Sequence, residues 1–167
     1  MPTLKYISNY SQQIKDQVVE LVAQNKLADY LLNKYPTAHQ FVNDKSLREY
    51  ALSIKNQYIK KSSPLSQVIY DPKIHVINNA LGLHTFVSRV QGNKLKSKNE
   101  IRVSDVFRKS PEEFLRMIIV HELAHLKEKE HNKAFYKLCC HMTSDYHQLE
   151  LDMRLYLTQL ALNGEIY

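Results

Sequence analysis

His121-Glu122-Leu123-Ala124-His125 lies near the end of an apolar segment, residues 114–126, whose composition predicts a helix buried on all sides. Histidines four positions apart lie on one face of a helix. At about 100° per residue, His125 lies about 40° and Glu122 about 100° from His121. Burying two imidazoles and a carboxylate without partners is costly, and a divalent cation removes that cost. The pattern therefore predicts a metal site in which Glu122 handles a water molecule.

Three signals mark the start of this motif helix. Ser110 stands at the N-cap position, Pro111 suits the first helical position, and Glu113 completes a Ser-x-x-Glu capping box. One alternative to a metal site remains open. The polar groups of the helix could line a cleft and bond to backbone or water instead.

A third histidine, His131, completes the predicted ligand set. Catalytic zinc commonly takes three protein ligands and leaves one position for water. In a continuous helix His131 would face away from the other two, so the helix must end within residues 126–130, with Asn132 as a candidate N-cap for the next helix. Metzincin proteases share the spacing but have glycine where this chain has Glu128, so a metzincin is not predicted. Rival third ligands lie downstream, namely His141, His147, Glu150 and Asp152.

The length of 167 residues predicts one compact domain. No run approaches eighteen apolar residues, and the first 26 residues alternate polar and apolar at helical spacing, so we expect neither export nor a membrane span. Cys139 and Cys140 are adjacent on a predicted helix and suggest neither a disulfide framework nor a zinc knuckle. We expect these cysteines to pack in the core, and the protein to be cytoplasmic.

Periodicity predicts a helical part, residues 1–62, followed by a part with a sheet and the catalytic helices, residues 63–167. A sheet that precedes the motif helix along the chain is an order typical of α+β folds. We therefore predict a single α+β domain with N-terminal helices, a small antiparallel or mixed sheet, the motif helix and two C-terminal helices. The remaining predicted helices cover residues 11–25, 27–35, 133–142 and 145–162. One further helix is predicted to start under an Asp44 cap. The predicted strands are residues 67–70 and 73–77, and a hairpin of 83–90 with 100–103 across a loop containing Gly92-Asn93.

Several of these segments together resemble the YgjP-like metallopeptidase family. The segments are the run from Ala80 to Gly92, then Glu100-Ile101-Arg102-Val103, the motif helix, and the tail His131-Asn132-Lys133-Ala134-Phe135-Tyr136. The chain departs from the family pattern after Ser88-Arg89, where Val90-Gln91-Gly92-Asn93 replaces the Trp-Gly-Ser-Cys of many members.

The resemblance implies a zincin-like domain in which a sheet packs beside the motif helix and the substrate lies between them. It implies His121, His125 and His131 as metal ligands and Glu122 as the catalytic glutamate. It also implies a second activity, the hydrolysis of UTP to UMP and pyrophosphate.

The residues themselves favour hydrolysis assisted by one divalent ion, most simply zinc, with Glu122 as general base. One further side chain would stabilise the charged intermediate. The candidates are Arg89, which we favour, and His84, Tyr136 and Tyr146.

Two substrate classes compete. A peptide, which we favour here, would lie as an extended strand along the hairpin edge. The alternative, a nucleoside triphosphate, needs several cations, because no glycine-rich phosphate loop is present. The net charge of +6 includes Lys94, Lys96, Lys98, Arg102, Arg108 and Lys109 within a short stretch. The predicted substrate-binding residues are Arg89, His84, Tyr136, Lys94, Lys96 and Arg102.

A non-catalytic zinc-binding interaction module is less favoured, because structural zinc sites are usually rich in cysteine. Contact with nucleic acid is left open by the net charge, without a recognisable reader motif.

Overall fold

The computed structural model describes residues 4–74, 82–91 and 94–167, and gives only the backbone for residues 82–91 and 94–98. Helices and strands follow the α+β order that the sequence predicts. Along the described chain they are α1 Gln12–Ala23, α2 Leu27–Lys34, α3 Asp44–Tyr58, β1 Gln67–Asp71, β2 Gly82–Gln91, β3 Lys94–Ser104, α4 Glu112–Ala124, α5 Lys133–Met142 and α6 Tyr146–Asn163.

The three strands form a mixed sheet in the order β1-β3-β2. β1 runs parallel to β3, and β2 runs antiparallel to it. The predicted hairpin is present but longer than expected, because its ladder begins at the pair Gln91↔Lys94 and continues to Gly82↔Val103. The first half of β3 is rich in lysine, serine and asparagine, so it has no apolar alternation from which a strand could be predicted.

Helix α4, the predicted motif helix, lies at the centre of the molecule. Every residue from position 117 to position 124 is buried. The helix contacts β2 and β3 on one side and α3, α5 and α6 on the others. Ile101 and Val103 of β3 belong to the same core cluster as this helix and are fully buried. This central position explains why the sequence is apolar nearly all round the helix.

The predicted cap of α4 is wrong. The helix starts at Glu112, and no side chain caps it. Ser110 is fully buried, its hydroxyl lies 3.1 Å from the carbonyl oxygen of Phe107, and its own carbonyl accepts a hydrogen bond of 3.0 Å from the backbone N–H of His39. These contacts join Ser110 to Phe107 and to the loop that contains His39, so its hydroxyl does not cap the helix.

The N-cap of α3 is also displaced by one residue. Asn43 caps the helix and forms a capping box with Ser46. The carboxylate of Asp44 instead accepts a hydrogen bond of 2.9 Å from the backbone N–H of Tyr70 and so ties α3 to β1. The neighbouring cap residue therefore leaves Asp44 free for a contact between two elements.

The predicted strand at residues 73–77 is wrong at its start. Lys73 lies in a turn, where its backbone N–H donates to the carboxylate of Asp71 at 2.8 Å, and Ile74 follows outside any strand. Such a turn by an aspartate side chain competes with strand pairing. The remainder of the predicted strand, residues 75–77, lies outside the described residues.

One hydrophobic core joins the N-terminal helices to the rest of the chain. It includes Leu47 of α3, Phe114 of α4 and Met153 of α6, all fully buried. The protein is therefore a single α+β domain, while the boundary drawn at residue 62 remains a prediction. None of the helices within the described ranges is long and apolar enough to cross a lipid bilayer.

Candidate metal centre

The end of α4 turns the chain back so that three histidines meet. The helix stops at Ala124, and the backbone N–H groups of Leu126 and Lys127 each bond to the carbonyl three residues earlier. α5 then starts under the cap of Asn132, whose side chain accepts a hydrogen bond of 2.8 Å from the N–H of Phe135. The predicted Asn132 cap is confirmed, and α4 does end before His131, but it ends at Ala124, ahead of the predicted stretch 126–130.

His121, His125 and His131 form a compact cluster. One ring nitrogen from each lies within 4.8 Å of the other two, and the Nε2 atoms of His125 and His131 are 3.1 Å apart. Two nitrogens bound tetrahedrally to one zinc ion lie roughly 3.3 Å apart, given Zn–N bonds of about 2.0–2.1 Å. His121 is buried, His125 is half-buried and His131 is exposed, so the cluster opens to solvent on one side.

The outer nitrogens of two of these rings are held by other groups. Nδ1 of His125 lies 2.9 Å from the backbone carbonyl of Glu128. Because a carbonyl can only accept, this contact places the proton on Nδ1 and the lone pair on Nε2. Nδ1 of His121 lies 2.8 Å from the hydroxyl of Tyr146. Outer contacts of this kind orient histidines that bind metal.

The donor set fits a divalent cation. Nε2 of His121 is buried and has no hydrogen-bond partner among the residues that the structure describes. A buried polar atom without a partner costs free energy, and a cation inside the cluster would remove that cost. Three imidazole donors suit zinc and its neighbours among the transition metals.

Burial sets the protonation states of the cluster. Desolvation, and then the neighbouring rings of His125 and His131, lower the pKa of His121 to about 3. Desolvation also lowers the pKa of His125. Both rings are therefore neutral at pH 7, which is the form that binds metal.

Glu122, the next residue on α4, is 1% exposed, and its burial raises the pKa of its carboxyl to about 8. A carboxyl group with a pKa near neutrality, next to a cluster of metal-binding type, is characteristic of a general base or acid.

Phe135 supports the cluster and was missed by the sequence reasoning. Its ring is fully buried, with centroid distances of 5.0, 4.6 and 4.9 Å to the rings of His121, His125 and His131. It therefore packs against all three imidazoles and limits their rotation. In the sequence it belongs to the tail after His131 that resembles the family, but no role is predicted for it there.

The predicted substrate residues fall into two groups. Tyr136 is half-buried, and its ring centroid lies 6.4 Å from that of His131, so it borders the cluster. Arg102 is engaged by two carboxylates, at 3.0 Å from Asp71 and 3.4 Å from Glu100. For the other four, His84, Arg89, Lys94 and Lys96, the structure describes only the backbone. In the pairing of β2 with β3, His84 lies opposite Ile101, Arg89 lies opposite Lys96, and Lys94 lies opposite Gln91.

The rival third ligands lie in other contacts. The ring of His141 packs edge-on against Tyr58, and the ring of His147 lies 5.5 Å from that of Tyr136. Glu150 pairs with Arg154 at 3.6 Å, and Asp152 bonds to residues of α2. Among the described residues, the only group of this kind able to hold a metal is the three-histidine cluster.

Comparison with known proteins supports a relation over most of the chain. The family model described as "YgjP-like, metallopeptidase domain" matches residues 70–155, which include α4 and all three histidines. A protein named UTP pyrophosphatase, from Escherichia coli (strain K12), is 59% identical over 162 residues, covering 97% of each chain. No solved structure matches the chain.

Proposed function

Because this chain belongs to the YgjP-like family, we propose that it is a metal-dependent nucleotide pyrophosphatase that converts UTP to UMP and pyrophosphate. Its membership and its relative make the chain a hydrolase. The observation that carries the metal dependence is the cluster of His121, His125 and His131, whose ring nitrogens lie within 4.8 Å beside the buried Glu122. UTP is the proposed substrate because the E. coli relative is named UTP pyrophosphatase.

Each residue of the cluster has a role in this proposal. His121, His125 and His131 would hold one divalent ion, with zinc as the expected metal. The ion, when bound, supplies a Lewis acid that polarises a phosphoryl oxygen and lowers the pKa of water. Its positive charge would also lower the pKa of Glu122, which favours the ionised carboxylate that a base requires.

The reaction is a hydrolysis at the phosphoanhydride bond between the α and β phosphates. The water oxygen forms a new bond to phosphorus, the bond to the bridging oxygen breaks, and pyrophosphate leaves. Glu122 accepts the proton that the water loses. Burial of this carboxylate keeps bulk water away from the transferred proton.

Phosphate binding would come from side chains, since the chain has only three glycines and no glycine-rich loop. Arg102 is already paired with carboxylates, and Arg108 bonds to Asp105 at 2.7 Å. We therefore assign the phosphates to the hairpin residues Arg89, Lys94 and Lys96. Tyr136, at the border of the cluster, and His84 are further substrate-binding candidates.

A peptidase is the second candidate function, because the matching family model is described as a metallopeptidase domain. It was the favoured interpretation of the sequence, and it is not confirmed. The name of the relative fits the nucleotide alternative better. A non-catalytic zinc module does not fit a chain that belongs to a family of hydrolases. The cytoplasmic location remains a prediction.

The experiment offers both substrate classes to the same protein. Purified protein is stripped of metal, reloaded with zinc, manganese or magnesium, and incubated with UTP, other nucleoside triphosphates and peptide mixtures. We expect pyrophosphate and UMP from UTP, and loss of this activity in Glu122→Gln. New peptide termini without pyrophosphate would establish the peptidase instead.

Metal analysis tests the cluster separately. We expect about one divalent ion per chain in the native protein and in Glu122→Gln, and a strongly reduced content in His125→Ala. A wild-type protein that hydrolyses UTP at full rate after complete removal of metal would overturn the proposed role of the cluster.

A further inference from the structure

We propose that Tyr146 is a positioning residue, which holds His121 in the tautomer and orientation that metal binding requires. This inference rests on the proposed function, because it assumes that the three-histidine cluster binds a divalent ion. It assigns Tyr146 to the back of the cluster, whereas the sequence suggested it as a group that stabilises charge across the cleft.

The contact between the two side chains is close and fully enclosed. Tyr146 begins α6, is 0% exposed, and places its hydroxyl 2.8 Å from Nδ1 of His121. The two rings are nearly parallel, with an angle of 13° between their planes. Since Nδ1 of His121 faces the tyrosine, Nε2 on the opposite edge of the ring is the nitrogen that remains for the cluster.

A tyrosine hydroxyl can donate or accept, whereas a carbonyl can only accept. The carbonyl of Glu128 therefore places the proton of His125 on Nδ1. For His121, the nitrogen on the cluster side must carry the lone pair that binds an ion, so Nδ1 carries the proton and the oxygen of Tyr146 accepts from it.

The contact therefore runs from Nδ1–H of His121 to the oxygen of Tyr146. It leaves the lone pair of His121 on Nε2, the buried atom that has no hydrogen-bond partner within the described part of the chain. Tyr146 is itself fully buried, so water does not compete for Nδ1–H. The contact thereby prepares the most deeply buried ligand of the cluster before the metal arrives.

The test compares Tyr146→Phe with Tyr156→Phe. Tyr156 is a matched control, because it is buried on the same helix and its hydroxyl also makes one hydrogen bond, which it donates to the carbonyl of Val106. Zinc affinity is measured by competition with a chromophoric chelator. Loss of an outer partner of a metal ligand typically weakens metal binding by about 10–100-fold. We expect such a loss in Tyr146→Phe, and wild-type affinity in Tyr156→Phe.

A second readout uses the metal-free protein. Nitrogen NMR of the imidazoles distinguishes a proton on Nδ1 from one on Nε2. We expect His121 to be the Nδ1–H tautomer in wild type and in Tyr156→Phe, and a mixture of tautomers in Tyr146→Phe. Either an unchanged tautomer or an unchanged zinc affinity in Tyr146→Phe would overturn the inference.

The wild-type protein separates a failure of this inference from a failure of the proposed function. If wild-type protein binds no divalent ion, the proposed function and the inference both fail. If wild type binds zinc and Tyr146→Phe binds it equally, only the inference fails.

Discussion

Glu122 and Asp152 are carboxylates buried on neighbouring helices, and their surroundings differ in kind. Asp152 on α6 is 0% exposed and accepts hydrogen bonds from Tyr30 at 2.8 Å, from Lys34 at 2.7 Å and also from Tyr35. Glu122 on α4 is 1% exposed, and desolvation raises the pKa of its carboxyl to about 8. Both carboxyl groups are buried to the same extent. Hydrogen-bond donors surround the carboxylate of Asp152, whereas desolvation destabilises the ionised form of Glu122.

The difference separates a structural carboxylate, Asp152, from the proposed catalytic one, Glu122. Donors from α2 compensate the buried charge of Asp152 and join α2 to α6. A cation in the histidine cluster would stabilise the ionised form of Glu122. Removing the charge of Asp152 should therefore affect folding, and removing the charge of Glu122 should affect chemistry.

The largest effect is expected for Glu122→Gln. Loss of a general base lowers the turnover rate by about 10²–10⁴-fold. Because the neutral amide removes a buried ionisable group, the free energy of unfolding of the metal-free variant should match or exceed that of wild type at pH 8. Steady-state kinetics and urea denaturation measure the two quantities. A variant that is unstable at pH 8 and retains full turnover would show that Glu122 is a structural carboxylate, like Asp152, and not a catalytic one.

The next effect is expected for Asp152→Asn. It removes the charge that pairs with Lys34 and leaves the hydroxyls of Tyr30 and Tyr35 to an amide, so we expect a loss of about 3 kcal/mol of stability. Turnover of the folded enzyme should be unchanged. Glu150→Gln is the control, because Glu150 lies on the same helix in a half-buried pair with Arg154. Equal loss of stability in both variants would show that the buried contacts of Asp152 stabilise the fold no more than the half-buried pair of Glu150 with Arg154.

The pH dependence of stability gives a third test, in metal-free protein. The carboxyl of Glu122 keeps its proton up to about pH 8 in the folded state, whereas its ordinary pKa is 4.5. Between these values the unfolded state binds fewer protons, so stability falls as pH rises, by up to about 1.4 kcal/mol per pH unit.

Glu122→Gln lacks this slope. The lowered pKa of His121 acts in the opposite direction, because its stability contribution is lost as pH falls from 6.5 towards 3, but it is common to both proteins. Urea denaturation of wild type and variant between pH 5 and pH 8 therefore isolates the carboxyl. Parallel profiles would show that Glu122 is ionised in the folded, metal-free protein.

The smallest effect is expected for Lys34→Met. The side chain of Lys34 is 41% exposed, so its pair with Asp152 is partly screened by solvent. We expect a loss of about 1 kcal/mol or less, which shrinks with added salt. Lys45→Met, at an exposed position on α3, is the control. A loss as large as that of Asp152→Asn would mean that the lysine, and not the tyrosines, compensates the buried carboxylate.

Much of the candidate site could be predicted because its information is local. The spacing of His121 and His125, the polar run after the helix and the Asn132 cap are all written within twelve residues. Periodicity likewise predicted the buried α4 and the α+β order. Such features depend on helix geometry alone, so no knowledge of the tertiary structure is needed.

The features that could not be predicted are contacts between distant elements. Tyr146 meets His121 across 25 positions in the chain, and no periodic pattern marks the pair. Ser110 carries every local signal of a cap but is held by contacts that include the backbone N–H of His39. The polar first half of β3 pairs only because β2 lies beside it. In each case tertiary packing overrides a local preference.

The three histidines also form a gradient of access, from buried His121 through half-buried His125 to exposed His131. In the proposed metal site, exchange of an ion with solvent should therefore begin with dissociation from His131, in the short turn between α4 and α5. α4 itself need not unfold for this step. The rate at which a chelator extracts the ion should then follow local opening of that turn, and the equilibrium affinity should follow the packed histidines beneath it.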